Sequence, residues 1–436
     1  METIQIAAGI NLHAHTTKKF KTNVVCILLR RPLRREEATL NALIAMILGM
    51  ACAKYPSAED LAAQTERMYG AAYSCNIVKK GEEQIIQFLL EYLPKTEAKP
   101  GIASAEAFGF IREVMFNPLV VDGGFSPDIT EGEKRVLHAQ IAARVNHKAE
   151  YARYRFLEEM CSSEAFAIAG DGYAEDIEGI TPRQAYEHYC RILKESPIEV
   201  LIIGGETLDS ETLDSCIDDV RDMFKVQQRE NILRLGLPQL MCKRAMRKKV
   251  HEHADSSQGN LAVGYRGDVA PVGRQAYALM LANEVFGGYA GSRLFSVVRE
   301  RESLAYSVHS IMYRFKGIIA VFAGVNAANF AKAVELISEQ LEDIAQGSIS
   351  EGELENARKS LLKKHEAAKD YPGQMLEFYM MQHMLGDTDG LDDVIKKLRD
   401  IEADELATVA SRLGIDTVYT LGSVGSFGKG AVSEAD

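Results

Sequence analysis

ANEVFGGYAGSRLFSVVRERESLAYSVHSIMYRFKGIIAVFA, residues 282–323, is the stretch whose reading decides the fold. It reads as the end of a helix, a glycine turn, a short amphipathic helix and a long strand pair. Leu294, Val297 and Val298 fall at i, i+3 and i+4, so one face of the short helix is apolar; Arg293, Glu300 and Arg301 occupy the other. Gly287, Gly288 and Gly291 break the preceding helix and supply the backbone freedom of a tight turn. Beyond Leu304 the residues become β-type, with Tyr306 and Val308 and then the run Gly317 to Phe322.

Working outward, a strand at Asn260–Tyr265 precedes this block, and helices are predicted at 273–285, 328–346, 351–367 and 373–385. The first half shows the same kinds of element. A hairpin is predicted over residues 4–31, an apolar helix over Glu36–Cys52, and a helix capped by Ser57 that runs to Tyr69. Strands follow at 72–78 and 84–92, then helices from Ala103 to Phe116 and from Pro127 to about His147. Thr181-Pro182 opens a further helix, and Ile198–Gly205 reads as a buried strand. Ile180…Ile198-Glu-Val-Leu-Ile-Ile-Gly204 is echoed by Ile401…Asp416-Thr-Val-Tyr-Thr-Leu-Gly422. A spacing of roughly 220 residues is that of duplicated domains. The expected fold is α+β: two homologous domains, 1–223 and 247–436, each a mainly antiparallel sheet packed with helices, joined by a linker at 224–246. Lys243 to Lys249 form a basic cluster there, read as a solvated linker or edge strand.

The 282–323 block resembles the C-terminal half of the insulinase/pitrilysin-like (inverzincin) metallopeptidases, the family that includes the mitochondrial processing peptidases. The resemblance rests on the Ser-Arg-Leu-Phe…Leu-Ala-Tyr pattern, here Ser292-Arg-Leu-Phe295 and Leu304-Ala-Tyr306, and on Arg299 and Tyr306, seven residues apart. Further matches are TKKFKTNVV, YPSAEDLAAQTERMYGA and RYRFLEEMC, so the likeness spans most of the chain. It implies a clamshell half in which Arg299 and Tyr306 contact substrate and the tetrahedral intermediate across a chamber from zinc.

The same resemblance implies His-x-x-Glu-His on the first long helix, with histidines at i and i+4 as ligands and the glutamate as general base. Anchored on Lys54-Tyr55-Pro56-Ser57, the motif falls on Ala42, Ala45 and Met46. No histidine lies between His15 and His138, so no small shift restores it. The family's downstream glutamates fall on Glu133 and Gln140, which share a helix face, and only the outer carboxylate survives. His147-Lys-Ala-Glu150-Tyr151 is one substitution from the motif but straddles a helix boundary. His13/His15 and His251/His253 each pair two imidazoles without carboxylate or thiolate partners and are read as solvated. Gly287-Gly288 could cradle an anion but is read as a turn. No P-loop, GxSxG or GxGxxG occurs.

The sequence therefore most resembles the zinc-less YmfF-like branch, commonly encoded beside a zinc-bearing homologue. That implies a heterodimeric peptidase acting on peptides or small unfolded proteins. Arg299 and Tyr306 act in trans, no cofactor is held by this chain, and zinc sits in the partner. A homodimer stays open, as do a silent peptide-binding or scaffold pseudoenzyme and, further off, a stand-alone zinc peptidase. The strand Ala72–Val78 is a candidate edge for an extended peptide.

Composition fits this picture. At 436 residues, with 47% hydrophobic and 26% charged residues, the chain is long enough for two cores. Its net charge of −12 argues against a nucleic-acid or anionic-membrane partner. The seven cysteines contain no CxxC and read as buried free thiols of a reducing, cytoplasmic compartment. No leader and no membrane-spanning run is expected.

Overall fold

A computed structural model describes residues 2–17, 19–95, 100–205, 210–225, 229–236, 240, 248–255 and 258–423. The chain forms two compact units. The first comprises Met1–Ala143, Ile168–Gly236 and Ala368–Met380; the second comprises Arg144–Ala167, Leu237–Ala367 and Met381–Asp436. A single cut at 224–246 therefore does not separate them, because each sequence half contributes a helical segment to the other unit. Most of the connector and Lys243–Arg247 lie outside the described residues.

In the first unit, β1 (Glu2–Ala7), β2 (Ile10–Thr16), β3 (Asn23–Pro32), β4 (Ala72–Lys80) and β5 (Glu83–Tyr92) join β8 (Ile198–Gly204). A small hairpin, β6 (Val120–Val121) with β7 (Gly124–Phe125), stands apart from this sheet. The sheet order is β1-β2-β8-β3-β5-β4. The hairpin predicted over residues 4–31 does not form. β2 pairs with β1 and, in parallel, with β8, which lies between β2 and β3. All seven residues of β8 are buried. Such a strand gains most from two flanking neighbours, which is why it takes the interior position.

The second sheet is built from β9 (Lys248–His253), β10 (Gln258–Arg266), β11 (Ala305–Tyr313), β12 (Ile318–Asn326) and β13 (Gly414–Gly422). Its order is β11-β12-β10-β13-β9, with β13 and β9 parallel. Read from the other end, this repeats β2-β8-β3-β5-β4 strand for strand. The faint sequence echo thus falls on β8 and β13, each preceded by a helix and each in the same place in its sheet. The fold is α+β and internally duplicated.

Local signals explain the helix ends. Ser57 accepts a hydrogen bond from the Asp60 amide at 3.1 Å, and Thr181 accepts from the Gln184 amide at 3.2 Å with Pro182 in the first turn. In the second unit, helix Lys148–Met160 lies on the sheet face of Ala262, Phe322 and Tyr419. A Cβ on Gly264 would come within 2.6 Å of the Phe156 ring, so glycine there allows the helix its close approach. Cys26, Cys52, Cys75, Cys161 and Cys216 are buried and free; Cys190 is half-buried and free, and Cys242 lies outside the described residues. Burial pushes the Cys26 thiol up to about 12, far from reactive thiolate chemistry. Among the described residues no helix is long and apolar enough to cross a membrane.

Candidate functional site

The helix Arg35–Met50 presents Ala42, Ala45 and Met46 at i, i+3 and i+4. Ala42 and Ala45 are 1% exposed within the first core, and Met46 is half-buried against it. Helix Pro127–Ala143 packs on this helix and carries Glu133, buried, and Gln140, exposed. At the positions to which the resemblance assigns the metal site, these side chains offer two methyl groups, a thioether and a neutral amide. These residues do not fit zinc, which takes thiolate, imidazole or carboxylate ligands.

Glu133 makes no hydrogen bond or ion pair among the described residues. Burial alone lifts its carboxyl above the ordinary range. A carboxyl whose folded value is raised contributes stability in its neutral form below the ordinary value. That stability is lost as pH rises through the folded value. Glu133→Gln, neutral at every pH, is therefore expected to raise the urea midpoint near neutrality and to leave it unchanged below about pH 4. Equal shifts at both pH values would remove the burial argument.

The alternative histidines are spoken for or isolated. His13 is not solvated, contrary to the reading from spacing. It is buried, with Nε2 2.8 Å from the Glu199 carboxylate and Nδ1 3.0 Å from the Thr3 hydroxyl. His15 packs its ring 4.7 Å from that of Tyr379. Their shared strand face is taken up by Thr3 of β1, Glu199 of β8 and the Tyr379 ring. His251 bonds Thr420 and His253 bonds Asp255, so the second pair does not converge. His147 and Glu150 are exposed at the start of helix Lys148–Met160, and the Tyr151 hydroxyl donates to Glu252 at 2.6 Å.

The Arg/Tyr element has a different character. The helix Gly273–Asn283 does not stop at the glycines. It continues as wider turns over Glu284–Gly288, and wide turns recur over Leu294–Arg301. Gly287 is needed for contact, not for a turn: a Cβ there would sit 2.9 Å from the Ser310 amide of β11. Neither Gly287 nor Gly288 has the positive φ expected of a turn glycine. Glu284, buried under these turns, receives Lys364 at 2.7 Å and the Ser360 hydroxyl. Arg293 binds Glu353 at 2.6 Å; burial alone would lift that carboxyl, but Arg293 and Ser350 hold it at about 2. The block is thereby fastened at both ends to helix Glu351–Ala368.

Leu294 and Val298 are buried, while Arg299 faces solvent with its guanidinium 4.8 Å from the Phe295 ring centre. Arg299 makes no ion pair among the described residues. Ser303 then takes a left-handed conformation (φ 51°), and the Leu304 amide returns to the Val298 carbonyl at 3.0 Å. The chain enters β11 directly. Register slips between Ala305 and Ser307, so Tyr306 occupies a β-bulge and stands 64% exposed. The sequence signalled Arg299 and Tyr306 but neither the bulge that turns Tyr306 outward nor the Phe295 platform beneath Arg299. β4 lies at one end of its sheet, with Lys79 donating to the Ile168 carbonyl at 2.8 Å and Lys80 paired with Glu377.

Residues 179–361 match the model of the peptidase M16 inactive domain. Over that segment the chain is similar to M16-family metalloproteases. The probable inactive metalloprotease YmfF of Bacillus subtilis (strain 168) is 27% identical over 416 residues, covering 95% of this chain and 96% of that protein. A conserved protein from Enterococcus faecalis V583 superposes with a TM-score of 0.88 at 24% identity, covering 97% of this chain and 98% of that one. A peptidase M16 inactive domain from Pseudomonas fluorescens gives a TM-score of 0.78 at 14% identity and covers 98% of each chain. The likeness in fold thus extends over both units.

Proposed function

We propose that this chain is the zinc-free, substrate-contacting subunit of a two-chain cytoplasmic peptidase that cleaves peptides or small unfolded proteins. The zinc and its general base belong to a homologous partner. The observation that carries the reading is an asymmetry: the metal-binding positions hold no donor that fits zinc, while Arg299 and Tyr306 stay exposed on a braced element. A guanidinium and a phenolic hydroxyl are the donors that stabilise charge developing on a peptide carbonyl oxygen.

The test is an assay of unstructured peptides with this chain alone, with a zinc-bearing homologue that co-purifies, and with variants of the pair. Arg299→Ala and Tyr306→Phe are each expected to slow the assembly on the order of 10²-fold, with the melting temperature unchanged. Unchanged turnover in both would instead support a silent scaffold, a reading favoured by the loss of every expected ligand. Stoichiometric zinc in the isolated chain, with chelator-sensitive cleavage, would support the stand-alone peptidase and overturn both.

A further inference from the structure

We infer that a groove on the second unit docks a helix of a partner protein, one whose apolar stripe is flanked by lysine or arginine. No residue of the Arg299–Tyr306 element lines this groove, so the inference stands apart from the peptidase reading.

The duplication brings the groove to light. In the first unit, helix Ser104–Phe116 follows β5, and the chain beyond β8 returns as helix Ser210–Phe224 to pack on that helix and on β1. Cys216, Ile217, Val220, Met223 and Phe224 enter the first core there. The Phe224 ring lies 5.7 Å from that of Phe116, and the Ser104 hydroxyl donates to Asp219 at 2.9 Å. In the second unit, helix Phe330–Ala345 follows β12 in the same way, and β9 takes the place of β2. Among the described residues nothing corresponds to helix Ser210–Phe224 or to β1, and the sheet stops at β9. The corresponding place is a groove of about 450 Å³ between β9, β13 and helix Phe330–Ala345. Val334 and Val418 give it an apolar floor. Leu12, paired with Val200, is fully buried in the first sheet; Lys249, paired with Val418 at the equivalent point, is exposed.

Charge selects the occupant. Glu335, Glu339 and Glu342 line the groove at i, i+4 and i+7 of their helix, and all three are exposed. No ion pair engages any of them among the described residues. Like charges at this spacing repel and weaken the helix that carries them. Against them the lining sets one cation, Lys249. A docked helix with lysine or arginine along its flanks pairs these carboxylates and relieves the repulsion, while its apolar stripe covers Val334 and Val418. The chain's own covering helix has the wrong charge for this place. Ser210–Phe224 carries Glu211, Asp214, Asp218, Asp219 and Asp222 against Arg221. A copy of it laid in the second groove would set acid against acid, which argues for a basic helix from a different protein.

The test titrates the full chain, by fluorescence anisotropy, into dye-labelled synthetic peptides of 15 residues, the length of helix Ser210–Phe224. One is an amphipathic leucine–lysine helix, one a scramble of the same composition without an apolar stripe, and one has glutamate in place of lysine. The first is expected to bind on the order of tenfold more tightly than either of the others. Glu335→Gln, Glu339→Gln and Glu342→Gln combined should weaken that binding on the order of tenfold and leave the melting temperature no lower, since each carboxylate is exposed and unpaired. Ala331→Arg, at an exposed position of the lining, should block it by bulk and charge. Equal binding of the scrambled peptide, an unchanged affinity in the triple variant, or no binding at millimolar peptide would each overturn the inference. A dimer seen by sedimentation velocity and broken by the triple variant would give the groove to a second copy instead. Tighter binding of a synthetic peptide of residues 424–436 than of the lysine helix would give it to the chain's own C-terminal segment, and either result would equally overturn the inference.

Discussion

Glu164→Ala is expected to destabilise the second unit by about 3–5 kcal/mol, the cost of leaving buried cations without their counter-charge. The Glu164 carboxylate lies 2.8 Å from Arg266 and 2.6 Å from Lys316, and the side chains of both cations are 1% exposed. Asp416 reaches Arg266 at 3.3 Å, so one anion would be left among two buried cations. Against a typical total stability of about 5–15 kcal/mol, this is a large fraction. Glu187→Ala, which removes an exposed partner of Arg183, should change stability by less than about 1 kcal/mol. Urea titration of both variants decides the matter: a loss below about 1 kcal/mol for Glu164→Ala would show that the cluster contributes little. Glu164 is also one reason why Arg144–Ala167, which follows the first unit in sequence, is held within the second.

Splitting the chain at the connector is expected to give two pieces that do not fold on their own. A fragment ending at Gly236 would carry helix Lys148–Met160 without the sheet it covers, exposing Phe156, Met160 and Cys161, all fully buried in the chain. Each large apolar side chain stranded in this way costs roughly 1.5–3 kcal/mol. The same fragment would lack Ala368–Met380, and with it the Glu377 partner of Lys80, the Asp370 partner of Lys19 at 2.9 Å and the Tyr379 ring beside His15. A C-terminal piece starting at Leu237 would lack the cover of Ala262 and Phe322. Near-ultraviolet circular dichroism and solubility of the two fragments provide the measurement. Native-like spectra from either piece alone would contradict this account of the exchanged segments.

Several features could be read without coordinates because they depend on residue type or on short-range chemistry. The Ser57 and Thr181 caps act over three residues, and the helices they open begin where the sequence places them. The side-chain chemistry at Ala42, Ala45, Met46 and Gln140 is equally legible: none of them offers the thiolate, imidazole or carboxylate ligands that zinc takes. The repeat of β2, β3, β4, β5 and β8 in β9, β10, β11, β12 and β13 was visible only as an echo in its last strand. Buried strands preserve apolar character more faithfully than identity.

The sequence by itself determined the α+β class, the doubling, the absence of zinc-type donors at Ala42, Ala45, Met46 and Gln140 and the Arg299–Tyr306 spacing, since each follows from local pattern or from the chemistry of a side chain. Only the tertiary structure decided that β8 divides β2 from β3, that His13 is buried, that the glycines after Asn283 serve contact, and that a bulge turns Tyr306 to solvent. These depend on which distant segments compete to bury the same apolar face. That competition is settled by packing between residues far apart in the chain, and no local pattern records its outcome.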